Sequence, residues 1–307
     1  MYHFVFVELN YFESVLYIVI LFFSFFDFIV DKILAKSYRT NSEIMVNQNQ
    51  KQKELDEKLS MLLPRFTSLN DYEIYLINDK TSTSLLHDLI PLARATGVYT
   101  IDTELDYFTH VGSLIQIEFI GEKSVVLLIE TCHLPTNPSL LFWLITSLLQ
   151  VVLKPSNLIY AWGNIKKELK DFLEYELFTK NMIKQLGAKD IQKKFKNWYN
   201  QVFVHTCSLP PLYKDNISCK CTHRPMKNPS DAWSLQRAIA YTFNEYHDKT
   251  CRNSEWSRRL DYINSRKLIS YAVRDCLTVS KLVMVIDKKF TKQQLEQYNT
   301  NSHPYQQ

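Results

Sequence analysis

The chain of 307 residues carries 36 basic against 32 acidic side chains, a formal net charge of +4, and is 46% hydrophobic. That share of apolar residues excludes a disordered chain, and five glycines exclude a collagen-like one. Six cysteines are too few for a dense disulfide framework, so reduced thiols and an intracellular setting, cytoplasmic or nuclear, are expected.

The first forty residues differ from the rest. Ser14 to Phe26 is an uncharged, mostly large apolar run, with Glu13 and Asp27 at its ends. A spanning helix needs about 20 apolar residues, and charges cost least near its ends. Lys32, Lys36 and Arg39 follow and would leave the C-terminal side in the cytoplasm. No A-x-A-like cleavage site is present, which argues against a signal peptide. Two readings stand: membrane association through an anchor at residues 11–30, or a wrongly placed start of the reading frame. Residues 41–69 are polar and read as a linker with one short helix ending before Pro64.

From about residue 70 strands and helices alternate. Tyr72–Ile77 has strand alternation, and Thr83–Ala95 has helical spacing with Ser82 or Ser84 as cap. Val98–Ile101, Leu114–Ile120 and Val125–Ile129 are three strands whose short connections predict antiparallel pairing. Pro138 opens an apolar run to Leu153, broken by Thr146, Ser147 and Gln150, which reads as a helix packed on a sheet. Leu158–Trp162 is a further strand, followed by a helix rich in lysine and glutamate. Two amphipathic helices come later, Trp233–His247 and Arg266 to about Val283, and the tail 291–307 is polar and expected to be disordered. The order predicts an α/β fold, a mixed sheet flanked by helices, over residues 70–290.

Lysines crowd the stretch from Lys166 to Lys196, and Arg252, Arg258, Arg259, Arg266, Lys267 and Arg274 crowd another. On charge alone both read as solvated helix faces. His205, Cys207, Cys219, Cys221 and His223 form a loose group, but their spacing is not that of a standard zinc finger, and free side chains are the better reading. Trp162, Trp256, Tyr241, Phe243 and Tyr246 read as packing residues.

Asp102-Thr103-Glu104 closes a predicted strand. Residues i and i+2 of a strand share a face, so two carboxylates converge as hard ligands suited to Mg²⁺ or Mn²⁺. Glu54-Leu55-Asp56 and Glu174-Tyr175-Glu176 have the same spacing, so the pair alone carries little. Tyr271 and Asp275 are four apart on a predicted helix and project from one face.

Three blocks in order resemble the DEDDy branch of the 3′–5′ exonucleases, in particular ribonuclease D and the Werner-type exonuclease domain. The first is Ile101-Asp102-Thr103-Glu104 with Gly112-Ser113-Leu114-Ile115-Gln116-Ile117. The second is Trp162-Gly163-Asn164-Ile165-Lys166-Lys167-Glu168-Leu169 with Phe172. The third runs from Trp233-Ser234-Leu235-Gln236 through Asp248-Lys249 and Ser254-Glu255-Trp256-Ser257-Arg258-Arg259-Leu260 to Tyr271-Ala272-Val273-Arg274-Asp275-Cys276. The resemblance implies a ribonuclease H-like fold and metal-dependent hydrolysis of the terminal phosphodiester of RNA or DNA from the 3′ end. It implies that Asp102 bridges two divalent ions, Mg²⁺ or Mn²⁺, that Glu104 and Asp275 complete the shell of one, that Glu168 serves the other, and that Tyr271 positions the attacking water. No small-molecule cofactor is implied. His110, Ile115 and Gln116 lie near the same face without an assigned contact. The family has aspartate where this chain has Glu168, one methylene longer. That departure keeps open an alternative, a weakened exonuclease domain that binds nucleic acid without cutting it efficiently.

Overall fold

The computed structural model describes residues 50, 53–54, 56–204 and 231–302. The chain divides into two compact units, Met1–Lys58 and Leu59–Gln307. Of the first, the described residues are all helical. The apolar run at 11–30 and the group from His205 to His223 lie outside the described residues. Among those described, no helix is long and apolar enough to cross a membrane.

The second unit is an α/β domain built on a six-stranded mixed sheet, as expected. Its strands are β1 (Tyr72–Ile77), β2 (Val98–Leu105), β3 (Gly112–Phe119), β4 (Ser124–Glu130), β5 (Leu158–Ala161) and β6 (Ala188–Asp190), in the spatial order β1-β4-β3-β2-β5-β6. The short connections between β2, β3 and β4 give the antiparallel pairs anticipated, while β1–β4, β2–β5 and β5–β6 run parallel.

Strict alternation along the three central strands divides the interior into two cores. Tyr99 and Ile101, Ile115, Ile117 and Phe119, and Val125, Leu127 and Ile129 face one side. There they pack on α1 (Thr83–Thr96) and α2 (Leu140–Val152) through Leu86, Leu89, Ile145 and Leu149. Ser82 caps α1 by accepting a 3.3 Å hydrogen bond from the Leu85 amide, an interaction worth about 1 kcal/mol. Leu114, Val126 and Leu128 face the opposite side. They pack on α5 (Ile191–Val202), α6 (Leu235–Phe243) and the long α7 (Arg266–Asp287). Fully burying one such side chain contributes about 1.5–3 kcal/mol. On this second face β2 presents Thr100, Asp102 and Glu104, and β3 presents Gln116 and Glu118, so the sheet is polar beneath α7.

The structure departs from the sequence reading at three places. The helix expected over Trp233–His247 stops at Phe243, because Asn244 adopts a left-handed conformation at φ 53°, one that asparagine tolerates better than most residues. The segment before residue 70 is not all linker. Phe66 is buried, its amide donates to the Tyr246 carbonyl at 2.9 Å, and Arg65 bridges Tyr246. Within the tail expected to be disordered, the described residues form α8 (Lys292–Ser302), with Leu295 buried and Tyr298 edge-on to Phe243. A buried ion pair ties these pieces together. The Lys281 ammonium lies 2.8 Å from both Glu245 carboxylate oxygens and 2.9 Å from the Thr67 carbonyl, among the rings of Phe66, Phe243 and Tyr298. Burial pulls the lysine's pKa down and Glu245 opposes the shift.

Candidate active site

Asp102 and Glu104 project from β2 onto the polar face, where Asp102 stands opposite Gln116 and Glu104 opposite Leu114 in the ladder with β3. Asp275 and Tyr271 descend from one face of α7. Carboxylate oxygens of Asp102, Glu104 and Asp275 lie within 4.8 Å of one another. Three of the four expected acids therefore meet, drawn from two elements far apart in sequence.

Their surroundings are unequal. Burial raises the pKa of Asp102 to about 8, with repulsion from Asp275 adding to it and Lys249 opposing. Burial and the same two neighbouring carboxylates push Glu104 well above its ordinary value. Asp275 is itself buried, which would raise it, but Lys249 and His247 outweigh that and hold it lowered. The Lys249 ammonium lies 2.7 and 2.8 Å from the two Asp275 oxygens and 3.2 Å from the Tyr271 hydroxyl. His247 Nε2 lies 2.7 Å from Asp275 Oδ1, and Nδ1 lies 3.4 Å from the Thr278 hydroxyl. Burial first, and Lys249 second, lower the pKa of His247, so the ring is neutral and its Nε2–H donates to Asp275. Tyr271 is 4% exposed, and burial together with the three carboxylates raises its pKa, so the phenol keeps its proton.

Glu168 stands apart from this group. It ends the short helix α3 (Ile165–Glu168), which continues as a 3₁₀ turn over Leu169–Tyr175. Ile165, Leu169 and Phe172 pack into the core beneath α1 and α2, the face opposite α7. Along β2, β5 reaches only Val98–Thr100, so among the described residues no strand flanks the half of β2 that carries the acids on that side. Glu168 approaches there and accepts a 3.4 Å hydrogen bond from the hydroxyl of Thr103, the residue between the two site acids. It is near enough to add to the repulsion on Asp102. Burial raises its own pKa and Thr103 partly offsets this.

A glycine of the first block lets the second lie against it. A Cβ on Gly112 would lie 2.8 Å from the Asp171 carbonyl oxygen and 2.9 Å from the Phe172 ring, so only glycine permits this approach. Gly163 has φ 115°, open to glycine, and a Cβ there would lie 3.7 Å from Glu168 Oε1.

The third block is anchored by acids that the sequence reading passed over. Asp106 accepts from the amides of Phe108, Thr109 and Ser257 and from the hydroxyls of Thr109 and Ser257, at 2.8–3.1 Å. Burial would raise its pKa, but these donors, the Ser257 amide first, hold it far below the carboxylate range. Glu130 accepts from the Leu260 amide and the Asn78 side chain, both at 2.6 Å. Arg259 pairs with Asp79 at 2.5 Å. The loop from Ser254 to Leu260 is thereby fixed, and Trp256 packs buried against Tyr271 with ring centroids 5.6 Å apart. A buried acid closing an apolar strand, as Glu130 does, was the sequence signal for this role.

Of the residues left without a contact, Gln116 is wholly buried beside Glu104 on the site face. Ile115 stands opposite Thr103 and faces the other core. His110 is exposed, at φ 58°.

The donor set fits a divalent cation. It is three hard oxygen donors, of which Asp102 and Glu104 form no ion pair with a lysine, arginine or histidine among the described residues. Both acids are pushed toward neutrality by their shared confinement, which a bound cation would relieve.

The fold is similar to that of the Aedes aegypti Nibbler EXO domain, with a TM-score of 0.51 at 13% identity over 77% of this chain and 99% of that one. Other matches include Escherichia coli RNase D, an exoribonuclease involved in structured RNA processing, with a TM-score of 0.40 at 18% identity. That match covers 77% of this chain, which spans about half of the RNase D length, 51%. Brucella melitensis NrnC bound to pGG matches with a TM-score of 0.42 at 13% identity, over 75% of this chain and 89% of that one. No protein-family model and no curated protein matches the sequence.

Proposed function

We propose that the chain is a metal-dependent 3′–5′ exonuclease that hydrolyses the terminal phosphodiester of a nucleic acid. The observation that carries this reading is the meeting of Asp102, Glu104 and Asp275 beneath Tyr271, within a fold similar to the Nibbler EXO domain. The three carboxylates would hold a divalent cation, Mg²⁺ or Mn²⁺, and Glu168, near enough to Asp102 to add to its repulsion, would serve a second. Bound there, such ions would lower the pKa of a water so that it can lose a proton and attack the phosphodiester, and would stabilise the departing oxygen.

The chain's own groups divide the remaining work. Tyr271 stays protonated and therefore orients the attacking water by hydrogen bonding instead of removing its proton. Lys249 donates to the phenol oxygen and fixes its direction. Neutral His247 and Lys249 keep Asp275 ionised and correctly turned, so one ligand is charged in advance of the metal. Trp256, locked in place through Asp106 and Glu130, backs Tyr271.

A second reading is supported by the position of Glu168, which bonds Thr103 and lies outside the tight group. On that reading the domain binds nucleic acid and cuts it slowly or not at all. One assay separates them. A 3′-labelled oligonucleotide with Mg²⁺ or Mn²⁺ releases labelled mononucleotide under the first reading, and the Asp102→Asn variant releases none. Retained binding with no metal-dependent release favours the second.

A further inference from the structure

Beside Glu168 lies a basin of about 930 Å³ whose polar walls are Asn164, Lys166, Lys167, Lys170, Lys180 and Lys184. It sits between α3 with its following turn and α4 (Lys180–Gln185). Lys166 spans the two walls, its ammonium donating to the Lys184 carbonyl at 2.9 Å, and Asn164 is committed to capping the Lys167 amide. The other four lysines, Lys167, Lys170, Lys180 and Lys184, are exposed. None of the four forms an ion pair among the described residues, although Lys193 in the same region pairs with Asp190.

Gathering four un-neutralised ammonium groups around one concavity is unfavourable by mutual repulsion, and a polyanion would remove that cost. One wall of the basin is the helix that ends in Glu168, so an anionic chain lying in it runs along the helix that carries that acid. Lysines are flexible point charges, suited to phosphates at any register. Among the described residues the walls offer no arginine fork and no aromatic platform with which to read a base, and the oxygen of the one amide side chain is taken up in capping the Lys167 amide.

We propose that this basin is a backbone track: it holds the phosphates of the nucleic-acid strand upstream of the cleaved 3′ terminus, without regard to sequence or sugar. The proposal rests on the exonuclease reading for which end of the strand enters, but its binding test does not.

The test is fluorescence anisotropy of 5′-labelled single-stranded RNA and DNA oligonucleotides of equal length, on the full chain in EDTA, across a salt series. For single strands each neutralised phosphate contributes about 0.7 to the slope of log affinity against log salt. The K167Q/K170Q/K180Q/K184Q variant should lower the slope by roughly 3 and weaken binding at low salt by on the order of tenfold or more, equally for RNA and DNA. A K288Q/K289Q variant, altered away from the basin, should bind as the wild type does. The proposal is overturned if the quadruple variant keeps the wild-type slope and affinity, if only one sugar type is affected, or if the distant pair loses as much. A thermal midpoint close to the wild type's shows that the quadruple variant is folded, as expected for exposed side chains. If it melts lower, each lysine is replaced singly, and the track requires the slope to fall by about 0.7 in each. Since nothing is cleaved in EDTA, a wild type that binds without cutting in Mg²⁺ sinks the exonuclease reading alone. Cutting with unchanged binding in the variants sinks the track alone.

Discussion

The Lys249 ammonium sits between the two oxygens of the buried Asp275 carboxylate, at 2.7 and 2.8 Å, while Asp102 and Glu104 beside it have no such partner among the described residues. The site is thus charged unevenly before any metal arrives. One acid is stabilised as an anion and two are held toward their neutral forms.

Asp102→Asn should stabilise the metal-free protein at alkaline pH. The folded-state pKa of Asp102 is raised to about 8, so its favourable contribution is complete below the unfolded value near 3.9 and is lost as pH rises through about 8. In EDTA the wild type should lose stability from pH 4 to 9 more steeply than the variant. At pH 9 the variant should lead by at least about 1.4 kcal/mol, one pKa unit's worth. Urea titrations at several pH values measure this, and adding Mn²⁺ should stabilise the wild type more than the variant.

Lys249→Met should destabilise the fold by about 3 kcal/mol at pH 7, because a buried carboxylate loses its cation. The folded pKa of Asp275 is lowered, so the stability it contributes is present above the unfolded value and is lost as pH falls through the folded one. The gap between wild type and variant should therefore narrow in acid. Chemical denaturation at pH 7 and pH 3 checks it, and an equal gap at both would contradict the assignment.

Asp106→Ala should cost about 3 kcal/mol, since five donors lose one ionised acceptor. The pKa of Asp106 is also lowered, so the penalty should be full at neutral pH and shrink below about pH 4. Hydrogen exchange should show the amides of Ser257 and Thr109 opening in the variant.

Gly112→Ala should displace the Asp171–Phe172 turn, and with it Glu168. Overpacking of this kind costs about 1–3 kcal/mol. A shift near 1 Å at a catalytic carboxylate is worth on the order of 100-fold in rate. Turnover should fall much further than the melting temperature does.

Glu168→Gln should lower turnover roughly 100-fold while leaving Mn²⁺-dependent stabilisation largely intact, because the tight three-acid group does not include it. Loss of both together would place Glu168 in the same metal shell as Asp102.

Much of this was legible in the sequence because β2 keeps its alternation from Tyr99 to Glu104, the register shifting only beyond it at Leu105. Asp102 and Glu104 had to share a face, and helical spacing placed Tyr271 above Asp275. What was not legible depends on direction of approach. Glu168 follows a strand as expected, yet Ile165, Leu169 and Phe172 commit its helix to the far side of the sheet, and no spacing rule reports that. His247 reaches Asp275 because Asn244 turns the chain out of α6, whereas helical periodicity carried the pattern straight through. The helix at Lys292–Ser302 was hidden because its burial rests on few side chains, Leu295 and Tyr298 among them, in an otherwise polar stretch.

The odd and even positions of β2 serve opposite masters, Ile101 an oily interior and Asp102 with Glu104 the polar face on which the three carboxylates meet. A molecule that paired this strand one residue out of step would drive both acids into hydrocarbon and strand its isoleucine among charges. Mispaired copies would fail to fold, and so would not persist with a scattered carboxylate cluster: quality control over the site is built into strand pairing itself.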